Sequence, residues 1–115
     1  ATEQLAADLA SDNALGGRYA WGLPWEAGNT YLQTSPITYV ANVTTPLLIL
    51  HSEEDTRTPI DQTLQEFNAL KILGRTVQYV AVPGENHDLS RTGAPIHRVE
   101  RLHILATWLQ QYLHP

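Results

Sequence analysis

The chain has 115 residues, a net charge of −5, 43% apolar residues and no cysteine. That length supports one small core, burying roughly two-thirds of the unfolded surface. The acidic balance argues against nucleic acid or an anionic membrane as partner, and the missing cysteine excludes disulfides, thiolate nucleophiles and cysteine-based zinc sites.

The opening stretch, residues 1–10, lacks the basic and apolar regions of a signal peptide. The longest apolar run, Leu47 to Leu50, is too short to span a bilayer, and the absence of cysteine fits an expected cytoplasmic location. The sequence contains no methionine, which makes it read as a trimmed or excised piece of a longer chain.

Residues 2–10 read as a short helix with Leu5 and Leu9 on one side. Gly16, Gly17, Gly22, Pro24, Gly28 and Pro36 then punctuate loops, with Tyr19, Trp21 and Trp25 among them. Residues 1–45 are therefore expected to be an irregular segment whose aromatics need a surface to pack on. That surface is either the side of a larger body or the wall of a binding cleft.

Residues 46–115 are regular. Pro46 to His51 is an unbroken apolar run, as expected of a strand buried on both faces of a parallel sheet. A helix follows, with Thr58 as N-cap, Pro59 at the first position and Asp61 completing a short capping box. Ile60, Leu64, Phe67 and Leu70 form its apolar face, and Gly74 ends it. Thr76 to Val82 reads as a second strand, residues 83–88 as a loop, and Pro95 to about Leu113 as a long helix. Val99, Leu102, Leu105 or Ala106, Leu109 and Leu113 are expected on its inner face. The order strand, helix, strand, helix implies parallel strands with a right-handed crossover. Two strands do not make a domain, so the fold class expected is α/β, the C-terminal end of a longer sheet.

Ligands of open parallel sheets bind at the carboxyl ends of the strands. Two loops leave those ends: His51 to Arg57, with a carboxylate cluster and an arginine, and Pro83 to Asp88, with a histidine. Neighbouring strands lie about 4.8 Å apart, so Asp55 and His87 can meet. Such a pair is two-thirds of an acyl-transfer triad, in which histidine is the general base and the carboxylate fixes its tautomer. The order Asp before His is that of α/β-hydrolases. Taken singly, Asp55 reads as a solvated loop carboxylate and His87 as a loop histidine bonded to backbone. Their placement at successive strand ends is what joins them. His51 reads as a packed core histidine. His97, His103 and His114 share no metal spacing and read as surface. Ser11, Ser35, Ser52 and Ser90 all lie outside any G-x-S-x-G turn, so the nucleophile elbow and its oxyanion hole are missing.

From about Leu15 to Leu113, the residues 35–40, 45–51, 54–59, 83–91 and 97–101, together with Leu15-Gly16-Gly17 and Trp25-Glu26, resemble the C-terminal end of prolyl oligopeptidase family serine peptidases, and most closely the acylaminoacyl-peptidase-like branch. The resemblance implies Asp55 as triad acid, His87 as triad base and Arg57 as a residue facing the substrate, with no cofactor and no metal. The family pattern usually has glycine after the histidine, where this chain has Asp88, and a carboxylate that faces the base would raise its pKa. It also implies a parent enzyme acting on short or N-acylated peptides, an upstream β-propeller limiting access, and a serine outside this chain. The partners expected are peptide substrate and the remaining N-terminal part of the same enzyme. Exposed strand edges and helix faces also favour self-association. An esterase of the same fold and a non-catalytic binding or assembly module are the alternatives.

Overall fold

The structure, a computed structural model, describes residues 7–13, 22–26, 28 and 30–113. In the first part the regular elements are a 3-10 turn at Ala7–Ala10, a single helical turn α1 (Tyr31–Thr34) and a 3-10 stretch at Pro36–Asn42. The 3-10 turn stands where a helix over residues 2–10 is expected; Leu5, Gly16, Gly17, Tyr19 and Trp21 lie outside the described residues. Trp25 finds no packing surface here and is 72% exposed. Tyr31 anchors this part instead, fully buried, with the Ser35 hydroxyl donating to its carbonyl.

Two strands, β1 (Leu47–Ser52) and β2 (Val77–Val82), pair in parallel, with Leu47 opposite Val77 and Ser52 opposite Val82. Parallel neighbours need a crossover, and helix α2 (Ile60–Ile72) supplies it. It packs on both strands and on the 3-10 stretch, with Leu70 completely buried and Phe67 5.7 Å from the Tyr79 ring. The expected cap differs: Pro59 occupies the N-cap position and no side chain caps the helix. The Thr58 backbone N–H is taken by Asp55 Oδ1, which holds Thr58 in the preceding turn. The helix ends as the sequence indicates. Gly74 has φ +68°, its N–H donates to the Lys71 carbonyl, and the Arg75 N–H donates to that of Leu70. This is a Schellman cap, which needs the left-handed residue that glycine allows.

A short helix α3 (Leu89–Thr92) and the long α4 (Pro95–Tyr112) complete the chain. Proline opens α4, where its absent N–H costs nothing. The inner face is not the one expected. Ile96, Val99, Leu102, Leu109 and Leu113 are each half or more exposed. Of the expected face only Leu105 is partly covered; His97, Arg101, Ile104 and Trp108 are the other partly covered side chains. Ile104 and Trp108 share a cavity with Leu48 and Gln78 of the sheet. Leu47 to Leu50 are only half-buried rather than covered on both faces, because a sheet of two strands offers little to bury them.

Nothing lies within 4 Å of a Cβ built on Gly74, so substitution there strains only the backbone. Gly74→Ala should lower folding stability by about 1 kcal/mol, read as a lower urea midpoint with an unchanged m-value.

Candidate active site

The strand register places the carboxyl ends of β1 and β2 level, and backbone hydrogen bonds continue beyond them. The Glu53 N–H donates to the Val82 carbonyl and the Glu54 N–H to the Glu85 carbonyl, both at 2.9 Å. The acid loop and the histidine loop are thereby joined before either functional side chain is reached. Gly84, with φ +69°, turns the second loop back across the strand end.

Asp55 and His87 meet at this edge, with His87 Nδ1 2.9 Å from Asp55 Oδ2. Asp55 Oδ1 accepts the backbone N–H groups of Arg57 and Thr58 at 2.9 and 2.8 Å. Burial is the strongest influence on the Asp55 carboxyl and pushes its pKa up. The Thr58 N–H, the His87 hydrogen bond and the charges of His87 and His51 together outweigh it and hold the pKa below the ordinary 3.8. Asp55 is therefore an ionised acceptor at neutral pH, so the His87 proton resides on Nδ1 and a lone pair on Nε2. The His87 side chain is 49% exposed, and Nε2 has no hydrogen-bond partner among the described residues. The arrangement can take a proton from a nucleophile brought to Nε2 and return it to a leaving group. Asp55, His87, His51, Ser90 and Arg101 line one open groove of about 310 Å³.

Arg57 stands beside this pair rather than in it. It lines a second cavity with His87, Asn86 and Asp88, and its Nε donates to Asp12 Oδ1. That hydrogen bond holds the Asp12 carboxyl below its ordinary pKa. The upstream segment also grips the acid loop through backbone: the Asp12 N–H donates to the Thr56 carbonyl and the Ser11 hydroxyl to that of Arg57. Asp88 pairs with Arg91 and makes no hydrogen bond to His87.

Two residues do more than their sequence reading allows. His51 is buried as expected, but its Nε2 lies 3.2 Å from Asp55 Oδ2. His97 is not a free surface histidine: its Nδ1 is 2.6 Å from Oε1 of Glu85, a buried loop carboxylate that also accepts the Ala94 N–H. Glu85 thus ties the histidine loop to the start of α4. The His97 bond, then the Ala94 bond, hold its pKa below the ordinary 4.5 against the opposing pull of burial. The signals were spacing between His51 and Asp55 across a turn, and a carboxylate two residues before His87; neither is distinctive without the strand register.

Among the described residues no group of three His, Asp or Glu side chains converges as a metal site, and no helix is long and apolar enough to cross a membrane. None of the serine hydroxyls there is hydrogen-bonded to His87.

A family model described as the prolyl oligopeptidase family matches residues 3–115. An uncharacterized peptidase of Bacillus subtilis (strain 168), YuxL, is 51% identical over 79 residues, covering 69% of this chain and 12% of that protein. The acylamino-acid-releasing enzyme of Arabidopsis thaliana is 36% identical over 80 residues, covering 70% of this chain and 10% of the enzyme. Among solved structures, the Pyrococcus horikoshii acylaminoacyl peptidase in its orthorhombic crystal form superposes with a TM-score of 0.87 at 34% identity, covering 94% of this chain and 18% of that one. The chain therefore has the fold of the C-terminal part of an α/β-hydrolase, and spans about an eighth of the YuxL peptidase.

All three lowered carboxyls, Asp12, Asp55 and Glu85, link folding to pH in one direction. A carboxyl whose folded pKa is depressed contributes stability that is present above its unfolded pKa and lost as pH falls through the folded value. Stability should therefore decline below about pH 4.5, and Glu85→Gln should flatten that decline in urea melts recorded from pH 7 to 3. An identical pH slope in the variant would refute the linkage.

Proposed function

Since this chain belongs to the prolyl oligopeptidase family, we propose that the polypeptide containing it is a serine peptidase acting on short or N-acylated peptides, in which Asp55 is the triad acid and His87 the base. One observation carries this reading: the 2.9 Å hydrogen bond between Asp55 Oδ2 and His87 Nδ1, made at the carboxyl ends of adjacent parallel strands. The serine and the oxyanion hole belong to the part of the polypeptide outside these 115 residues.

In the proposed cycle, His87 Nε2 takes the serine proton as the serine attacks the scissile carbonyl. The imidazolium that forms is stabilised by Asp55, which stays ionised, and then gives its proton to the leaving amine. Water repeats the sequence on the acyl-enzyme. Arg57 lies one cavity away, with its Nε on Asp12, and is placed in this reading to face the bound peptide. The names of the Arabidopsis and Pyrococcus relatives support an acylated amino acid as the residue released.

The same reading assigns a partner to the uncovered apolar surface. Ile96, Val99, Leu102 and Leu109 of α4, Leu113 just after it, and the free edge of β1 are covered by the remainder of the enzyme. Alone at micromolar concentration, the 115-residue chain should self-associate in sedimentation velocity. A monodisperse monomer would count against this assignment.

In the full-length polypeptide, His87→Ala should lower kcat on an acyl-amino-acid nitroanilide by about 10⁴-fold or more, and Asp55→Asn by about 10⁴-fold. Arg57→Ala should raise KM more than it lowers kcat. The isolated chain should show no turnover. Unchanged hydrolysis in His87→Ala would favour a non-catalytic module, and measurable turnover by the chain alone would place the nucleophile within it.

A further inference from the structure

His51 ends β1 and is 7% exposed. A buried imidazole must satisfy two ring nitrogens, and both are satisfied here. Nε2 lies 2.8 Å from the Thr58 carbonyl and 3.2 Å from Asp55 Oδ2. Both partners are acceptors, so Nε2 carries the proton and donates. Nδ1 lies 2.8 Å from the Thr63 hydroxyl on α2, whose oxygen also stands 2.9 Å from the Ile60 carbonyl. The ring is thus fixed between the crossover helix and the acid loop.

The oxygen that His51 reaches is the one that holds His87. Oδ2 takes His87 Nδ1 at 2.9 Å and His51 Nε2 at 3.2 Å, while Oδ1 takes two backbone N–H groups. An ionised carboxylate offers about four lone-pair sites, and all are used. The Asp55 side chain is 6% exposed, so water has little access to replace a lost donor. A histidine present only for packing would need neither this alignment nor a place on that oxygen.

We propose that His51 is a positioning residue for the proton-transfer pair: by donating to Asp55 Oδ2 and anchoring on Thr63, it fixes the carboxylate in the orientation from which Asp55 holds His87. The inference rests on the reading of Asp55 and His87 as acid and base. It acts through Asp55 and touches no reacting atom, so its loss is felt in kcat and not in substrate affinity.

The test uses the full-length polypeptide, with kcat counted per active site titrated by a fluorophosphonate, so that misfolded molecules do not enter the rate. His51→Leu is expected to lower kcat about ten- to hundredfold with KM within about twofold of the unsubstituted enzyme, the scale of one hydrogen bond to a buried charge. His51→Gln, whose amide N–H can stand near the position of Nε2, is expected to recover most of that loss. Equal kcat in His51→Leu and the unsubstituted enzyme overturns the inference, and so does a loss that His51→Gln fails to recover. If His51→Leu yields no titratable site, Thr63→Val decides. It keeps the ring and frees Nδ1; lower kcat at unchanged KM supports the role, and unchanged kcat overturns it. His87→Ala measured alongside separates the two readings. Activity retained there removes the acid–base assignment itself, whereas activity lost there with His51→Leu unaffected removes only the role of His51.

Discussion

The register of two parallel strands is the constraint from which the site follows. Ser52 sits opposite Val82, so both chains leave the sheet at the same height. Two further backbone hydrogen bonds, Glu53 to Val82 and Glu54 to Glu85, continue the pairing into the loops. Asp55 comes three residues after one strand end and His87 five after the other, and only this register brings them together. A slip by one residue would turn every side chain of β1 to the opposite face and part the pair.

Around that frame, carboxylates do most of the local organisation. Asp55 collects two backbone N–H groups and two imidazoles, and Glu85 collects the Ala94 N–H and His97. Each is buried, and burial alone would favour the neutral acid. The donors reverse that preference, keeping both groups charged where a charge is useful as an acceptor. The cost of removing a carboxylate from water is offset by the several donors each one gathers from different elements.

Much of this architecture was legible in the residues. The run Leu47 to Leu50, Gly74 and Pro95 each marked their element correctly, because each depends on local rules of burial, left-handed backbone or a missing N–H. Asp55 and His87 were placed at strand ends by the same reading. What escaped it depends on competition between partners. Thr58 suits an N-cap, but Pro59 takes that position, and Asp55 accepts the Thr58 N–H that a capping box would give to Asp61, a rival the capping rule does not weigh. Helix α4 is apolar on more than one side, so periodicity alone does not say whether Val99 and Leu102 or Ile104 and Trp108 meet the sheet. His51 and Asp55 are four residues apart across a turn, where helical spacing rules are silent. Glu85 looks like any acidic loop residue until Ala94 and His97 are seen above it.

The bonds that tie one loop to the other also have a mechanical meaning. Glu54 and Glu85 bind the two loops edge to edge, Glu85 fastens one of them to α4, and Ser11 and Asp12 brace the other from outside. Asp55 and His87 are therefore mounted on a single plate, stiff in the direction that separates them. Asp55 and His87 cannot be spread apart without breaking several hydrogen bonds together.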